Sequence, residues 1–272
     1  MTNEPGSAVD PAAEPVLLDR CDGVLTVTLN RPRVKNAMTW TGWSRLRDAV
    51  RAVDQLTDRV VVVTGAGGDF CAGADLGGPP TGGHQVDDMR IVSDTCLALH
   101  RLPVPTIAMV DGVAVGAGMN LALVCDFVIA SSRARFAEIF VKRAMSVDFG
   151  GSWLLPRLIG LRRAKELVLL GDIIDAAQAA EYGLLHQVVD ADALAKAVAD
   201  LATRLADGPR LAMAGSKALL NDAFDTTLER ALDEEARAQA VSVSSPDAEE
   251  AIDAFLQKRP ANFRRTTTRE DR

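Results

Sequence analysis

The feature that most restricts this chain is the recurrence of short, wholly apolar runs separated by stretches with helical periodicity. Arg59 to Thr64 reads as a strand buried on both faces, Thr106 to Val110 as a second and Phe127 to Ala130 as a third, with a helix around Val92 to His100 between the first two. Strand, helix, strand repeats predict a largely parallel α/β core with right-handed crossovers. Ahead of them, Val16 to Leu18 and Val24 to Leu29 flank Asp22-Gly23, a turn pair that predicts an antiparallel hairpin. Thr39 is the expected N-cap of a helix reaching about Leu56, because Trp43, Leu46, Ala49, Val50 and Val53 recur at helical spacing.

Leu76 to Val86 holds Gly77-Gly78-Pro79-Pro80 and Gly82-Gly83, which deny both helix and strand and predict a mobile loop. From Asp192 onward the chain is rich in alanine and alternating charge, with Pro209 at an expected N1 position, so a helical module follows the α/β core. The expected organisation is a disordered tail over 1–15, the core and its ligand site over 16–200, a helical module over 201–265 and a second tail over 266–272. Leu219, Phe224, Leu228, Ala231 and Leu232 form an apolar stripe in that module, suited either to packing within the chain or to another copy.

A chain of 272 residues can bury a substantial core, and no uninterrupted apolar run approaches the roughly 20 residues of a membrane helix. The first fifteen residues lack the basic start and apolar stretch of a secretory signal, which points to the cytosol. Cys21, Cys71, Cys96 and Cys125 show no paired C-x-x-C spacing. His84, His100 and His186 stand at no ligand spacing, so no metal is expected. The formal charge of −7 argues against a nucleic-acid partner.

Gly65-Ala66-Gly67-Gly68 and Gly116-Ala117-Gly118 invite a nucleotide reading, yet the second lacks the third glycine of a dinucleotide fingerprint. No G-x-x-x-x-G-K-[ST] loop and no G-x-S-x-G elbow occurs in the chain. What the clusters share is a loop of small residues directly after a buried strand, where backbone N–H groups meet a ligand unobstructed. Such a pair of loops can build an oxyanion hole; packing alone is the other use for small residues there. Phe70-Cys71-Ala72-Gly73-Ala74-Asp75-Leu76 and Asp111-Gly112-Val113-Ala114-Val115-Gly116-Ala117-Gly118-Met119-Asn120-Leu121 together resemble the enoyl-CoA hydratase/isomerase (crotonase) superfamily. Asn30-Arg31-Pro32 with Asn36-Ala37, Cys125-Asp126, Gly150-Gly151-Ser152-Trp153-Leu154-Leu155-Pro156-Arg157 and Ala254-Phe255 to Phe263 extend the resemblance, in the family's order, over nearly the whole chain.

The resemblance implies an α/β fold, a crotonase-like spiral of β-β-α units with a helical C-terminal module, and an acyl-CoA thioester as substrate. No cofactor beyond that coenzyme A is implied. By the family's pattern the thioester oxygen sits between the N–H groups of Ala74 and Ala117, where an enolate is stabilised. CoA is expected near Arg33, Val34, Lys35 and Ala72, with Asp75 and Leu76 bordering the pantetheine. Phe255 and Lys258 match positions that approach CoA from a neighbouring subunit, since relatives assemble as trimers or paired trimers.

Hydration in this family normally uses two glutamates, and the matching positions here are Asn120 and Phe140. Asn120 can orient water but transfers no proton. Glu138 lies two residues from the second position, where its direction changes, and stands in reserve. Asp148, just before Phe149-Gly150-Gly151, matches the acidic residue of relatives that move double bonds, with the Trp153 to Arg157 region closest to phenylacetate-pathway ring isomerases. One carboxylate suffices to remove a proton from one end of an allylic system and return it at the other. Met119, Phe140, Phe149 and Trp153 are the expected apolar wall. The plainer use for Asp148 is as an N-cap of the following helix. These residues suit an enoyl-CoA isomerase, an atypical hydratase using Asp148 with Asn120 and Glu138, or a silent acyl-CoA-binding protein.

Overall fold

The computed structural model describes residues 14–77 and 83–264. The expected tail over 266–272, all but the last two residues of the tail over 1–15, and positions 78–82 of the expected loop lie outside the described residues.

In chain order the first half contains β1 (Val16–Cys21), β2 (Val24–Leu29), α1 (Trp40–Arg51), β3 (Val60–Gly65), α2 (Gln85–His100), β4 (Thr106–Val110), β5 (Val113–Val115) and α3 (Ala117–Leu123). There follow β6 (Phe127–Ser131), β7 (Arg135–Ala137), α4 (Gly151–Leu170), β8 (Ile174–Asp175), α5 (Ala176–Glu181), β9 (Gln187–Val189), α6 (Leu194–Ala206), α7 (Arg210–Asn221), α8 (Leu228–Val243) and α9 (Pro246–Leu256). Asp22 and Gly23 both take positive φ, 49° and 78°, the geometry that lets β2 return antiparallel along β1. Every later pairing in the larger sheet, ordered β1-β2-β3-β4-β6-β9, is parallel. A second sheet, β5-β7-β8, stands apart from it.

The two faces of β3 account for its unbroken apolar run. Val61 and Val63 face the main core with Trp43, Leu46, Leu99 and Leu121, whereas Val60 and Val62 join Ile107 and Ile129 against Leu194, Val198 and Ala202 of α6. Burial on both faces is what a parallel sheet with helices on each side requires. The helical C-terminal region is tied to this core by charge. Arg59 donates to the carbonyls of Ala206 and Gly208 at the end of α6, and Lys217 of α7 donates to Asp126 at 2.6 Å and to the carbonyl of Val104. No helix among the described residues is long and apolar enough to cross a membrane.

Several boundaries differ from the sequence reading for local reasons. α1 stops at Arg51 rather than near Leu56, because Asp54 accepts from the amide of Leu56 and Asp58 from that of Asp54, bonds that compete with a helix. α2 begins at Gln85, capped by His84 Nδ1 on the Val86 amide with Asp87 and Asp88 in its first turn, so the end of the expected loop is helical. Pro209 precedes α7 as its cap instead of occupying N1. The stripe of the C-terminal module is left open: Phe224, Leu228 and Leu232 are exposed.

Asn36 joins the opening motif to the loop after β3. Fully buried and at φ 57°, it accepts from the Arg31 amide at 2.8 Å and donates to the carbonyls of Ala66 and Asp69 at 2.9 and 2.7 Å. Asn36→Ala leaves three backbone groups without their partner and is expected to lower unfolding free energy by about 2–4 kcal/mol. Urea titration measures it, and a loss under about 0.5 kcal/mol, the usual range of a surface substitution, removes Asn36 from this role.

Candidate active site

Two loops meet at the C-terminal end of the parallel strands. Cys71 donates to the carbonyl of Val113 and accepts from the amide of Val115, so the segment after β3 lies along β5. Gly118 makes the approach possible: a Cβ there would stand 2.2 Å from the carbonyl oxygen of Cys71. At Gly73, with φ 89°, a Cβ would come within 2.8 Å of the Val115 oxygen and 3.6 Å of the Ala117 nitrogen. On the other side Met38 donates to the carbonyl of Gly73, and its own carbonyl accepts from the amide of Asp75. That parallel bridge grips the peptides on either side of Ala74 and leaves the N–H of Ala74 without an acceptor among the described residues. The N–H of Ala117, first residue of α3, has none either. Ala117 is buried and Ala74 exposed, so two unpaired donors stand at the rim of the interior, an arrangement suited to an oxygen that gains negative charge.

Behind them lies a polar cluster in an apolar setting. Asn120 on α3 is fully buried; its Nδ2 donates to the carbonyl of Asp148 at 3.0 Å and to Glu138 Oε2 at 3.4 Å. Asp148 sits in the turn before α4, where Phe149 and Gly150 are both left-handed, at φ 47° and 78°. A left-handed phenylalanine costs about 1–2 kcal/mol. It is held by stacking on Trp43, ring centroids 5.1 Å apart, and by the Cys96 thiol on its carbonyl. The cap of α4 is Gly150, while the Asp148 carboxylate bonds to no helix amide and its Oδ1 is buried without a partner. Burial pushes the Asp148 carboxyl up to about 6. Met119 and Phe140 are buried nearby, Phe140 with its ring over Gly116.

Glu138, held in reserve on the sequence, is fully buried at the end of β7 with its carboxyl on Asn120. Its signal was a lone acid between Ala137 and Ile139 in an otherwise apolar run. Trp153 turns elsewhere: it packs edge-on against His100 at 5.2 Å and under the Arg157 guanidinium at 3.9 Å. With His100, Lys217 and Asn221 it lines two adjoining cavities of about 630 and 620 Å³ between α2, α4 and α7, neither of which includes Ala74, Ala117 or Asp148.

The remaining residues fall into two groups. Arg33, Val34 and Lys35 form an exposed turn whose Lys35 carbonyl accepts from the Ala72 amide, placing the turn beside the amide loop. Asp75 pairs with Arg31 at 2.8 Å, and that guanidinium with the Gly77 amide holds its carboxyl below the usual range; Leu76 is exposed beside it. Phe255 and Lys258 are not brought to this site by their own chain. Their segment is fastened by Arg264 to Asp207 and to the carbonyl of Asp22, at the opposite end of the sheet.

A profile described as enoyl-CoA hydratase/isomerase matches residues 19–266. The chain is 40% identical over 250 residues to the 1,2-epoxyphenylacetyl-CoA isomerase of Escherichia coli, covering 89% of this chain and 95% of that protein. To the crotonyl-CoA hydratase of Syntrophomonas wolfei it is 34% identical, covering 93% and 98%. The crystal structure of a putative enoyl-CoA hydratase from Streptomyces coelicolor superimposes with a TM-score of 0.87 at 36% identity, over 97% of this chain and 99% of that one.

Proposed function

The chain belongs to the enoyl-CoA hydratase/isomerase family, with its crotonase fold and acyl-CoA chemistry, and from that premise we propose that it shifts the double bond of an enoyl-CoA. The observation that carries this reading is the half-buried Asp148, whose Oδ1 is buried without a partner among the described residues and whose carboxyl burial pushes up to about 6, while Asn120 and Phe140 occupy the positions where, by the family's pattern, hydration uses two glutamates. The thioester oxygen of a 3-enoyl-CoA accepts from the amides of Ala74 and Ala117, which form the oxyanion hole. Asp148 removes a proton from C2, the electron pair spreads through the dienolate onto that oxygen, and the same carboxyl returns the proton at C4, which leaves the double bond between C2 and C3. A group with a pKa near neutrality is ionised often enough to take the proton and acidic enough to give it back.

Met119, Phe140 and Phe149 keep water from the intermediate. The Arg33 to Lys35 turn and Ala72 receive the nucleotide end of CoA, Asp75 and Leu76 border the pantetheine, and no cofactor is needed beyond the CoA of the substrate. The exposed apolar residues of α7 and α8 suit a homotrimer or a dimer of trimers, in which Phe255 and Lys258 reach the CoA of a neighbouring copy; a cytoplasmic setting fits. The relative named 1,2-epoxyphenylacetyl-CoA isomerase supports a ring-derived acyl group.

Hydration is the second reading, favoured by Glu138 beside Asp148 and by the relative named crotonyl-CoA hydratase. Crotonyl-CoA and a 3-enoyl-CoA given separately to the protein distinguish the two. Conversion of the 3-enoyl to the 2-enoyl thioester is expected, with crotonyl-CoA left unhydrated. Hydration of crotonyl-CoA without any double-bond shift overturns the isomerase reading, and CoA binding without either reaction leaves a silent binding protein.

A further inference from the structure

Three buried oxygens of the cluster have no donor among the described residues: Asn120 Oδ1, Glu138 Oε1 and Asp148 Oδ1. The first two belong to side chains already joined by one bond, from Asn120 Nδ2 to Glu138 Oε2. We propose that Glu138 is a neutral carboxylic acid paired face to face with Asn120, and that this acid–amide pair is the positioning element for Asp148. One proton on Oε1, donated to Oδ1 of Asn120, satisfies both orphaned oxygens and closes a ring of two opposed hydrogen bonds, in which a carboxylic acid and a primary amide match donor for acceptor. Asn120 is then fixed in the orientation that lets Nδ2 also hold the carbonyl of Asp148 at 3.0 Å.

The alternative charge state is disfavoured on physical grounds. An ionised carboxylate with no exposure and a single 3.4 Å bond bears a desolvation cost that one hydrogen bond does not offset. Burial accordingly pushes Glu138 up to about 8, against the pull of the Asn120 bond and with help from the Asp148 charge. The groups around the pair are few. Asn120 faces it from α3 and Asp148 from the turn before α4; Cys96 of α2 lies beside Asp148, its thiol pushed up to about 11 and therefore neutral. Lys142, in the turn that follows Glu138, points to the surface and pairs with Asp172 at 3.3 Å. With Glu138 neutral, Asp148 holds the one negative charge of the cluster. Ionising Glu138 breaks a bond of the ring, places a second negative charge beside the first and frees the group that anchors the Asp148 peptide.

The pair itself is independent of the chemistry, whereas its effect on turnover rests on Asp148 being the proton carrier. Infrared difference spectra of the full-length protein at pH 7 are expected to show a protonated-carboxyl stretch that Glu138→Gln removes. In wild type, proton exchange into a bound acyl-CoA falls on the alkaline side with an apparent pKa of about 8, and Glu138→Gln lacks that fall. Glu138→Ala is expected to lose roughly tenfold or more in exchange, the loss of about one well-placed hydrogen bond, and Glu138→Gln to recover most of it. Absence of the band, or persistence of the alkaline fall in Glu138→Gln, overturns the pair. A folded Glu138→Gln protein as inactive as Glu138→Ala overturns the positioning role, because Glu138 then carries a proton itself. Should the band be present while Asp148→Asn still exchanges at the wild-type rate, the pairing stands and the reading of Asp148 falls.

Discussion

Asp148→Asn is expected to lower proton exchange at C2 and C4 of a bound acyl-CoA by about 10²- to 10⁴-fold, the range over which a positioned acid–base group contributes. The fold should survive. Among the described residues the Asp148 carboxylate caps no helix and pairs with no cation, so an amide of the same shape removes a proton carrier without removing a structural bond. In wild type the exchange rate is expected to rise with pH through about 6, since only the ionised carboxylate accepts the first proton. Deuterium uptake followed by mass spectrometry reads both effects. Undiminished exchange in the variant sinks the assignment, as does a wild-type rate that is flat between pH 5 and 7.

Gly118→Ala carries the second large effect, through geometry. The added methyl would meet the Cys71 oxygen at 2.2 Å and the Cys71 carbon at 2.8 Å, and these are backbone atoms of a buried segment with little freedom to move. The amide loop and α3 must separate, and with them the N–H groups of Ala74 and Ala117. Exchange is expected to fall by about 10²- to 10³-fold, the usual loss when one oxyanion donor is removed, and stability by about 1–3 kcal/mol from overpacking. Gly160→Ala supplies the contrast: its φ of 74° strains any side chain, whereas Gly118 is helical, but nothing lies within 4 Å of the added methyl, so stability falls while exchange does not. Equal loss of exchange in the two variants would mean that lost stability, and not the meeting of the loops, governs activity.

These expectations show where residue order speaks for itself. The strands were legible because β-branched runs buried on both faces leave little else for the backbone to do, and β4 begins and ends where its sequence suggests. The loops at Ala74 and Ala117 were legible because small residues after a buried strand carry a spacing. Glu138 was harder to read: whether its side chain points inward depends on the path of β7 and of the turn after it, which local periodicity does not encode. Trp153 sits on the first turn of α4 as expected, yet its ring is claimed by Arg157, one turn further along the same helix, and by His100, which only the docking of α2 brings to it. The early end of α1 was hidden for a related reason, since apolar spacing continues to Val53 while two aspartates divert the backbone bonds.

The stacking of Phe149 on Trp43 has a bearing on how the molecule is made. The two rings are more than a hundred residues apart in the chain, and closing so long a loop costs conformational entropy before any contact repays it. During synthesis from the N-terminus, Trp43 and Cys96, which hold the left-handed phenylalanine, are made before it, as are the sheet strands through β4 and the two amide loops. The seat of the carboxylate is thus among the later features to settle, and a half-made chain carries no finished reaction centre.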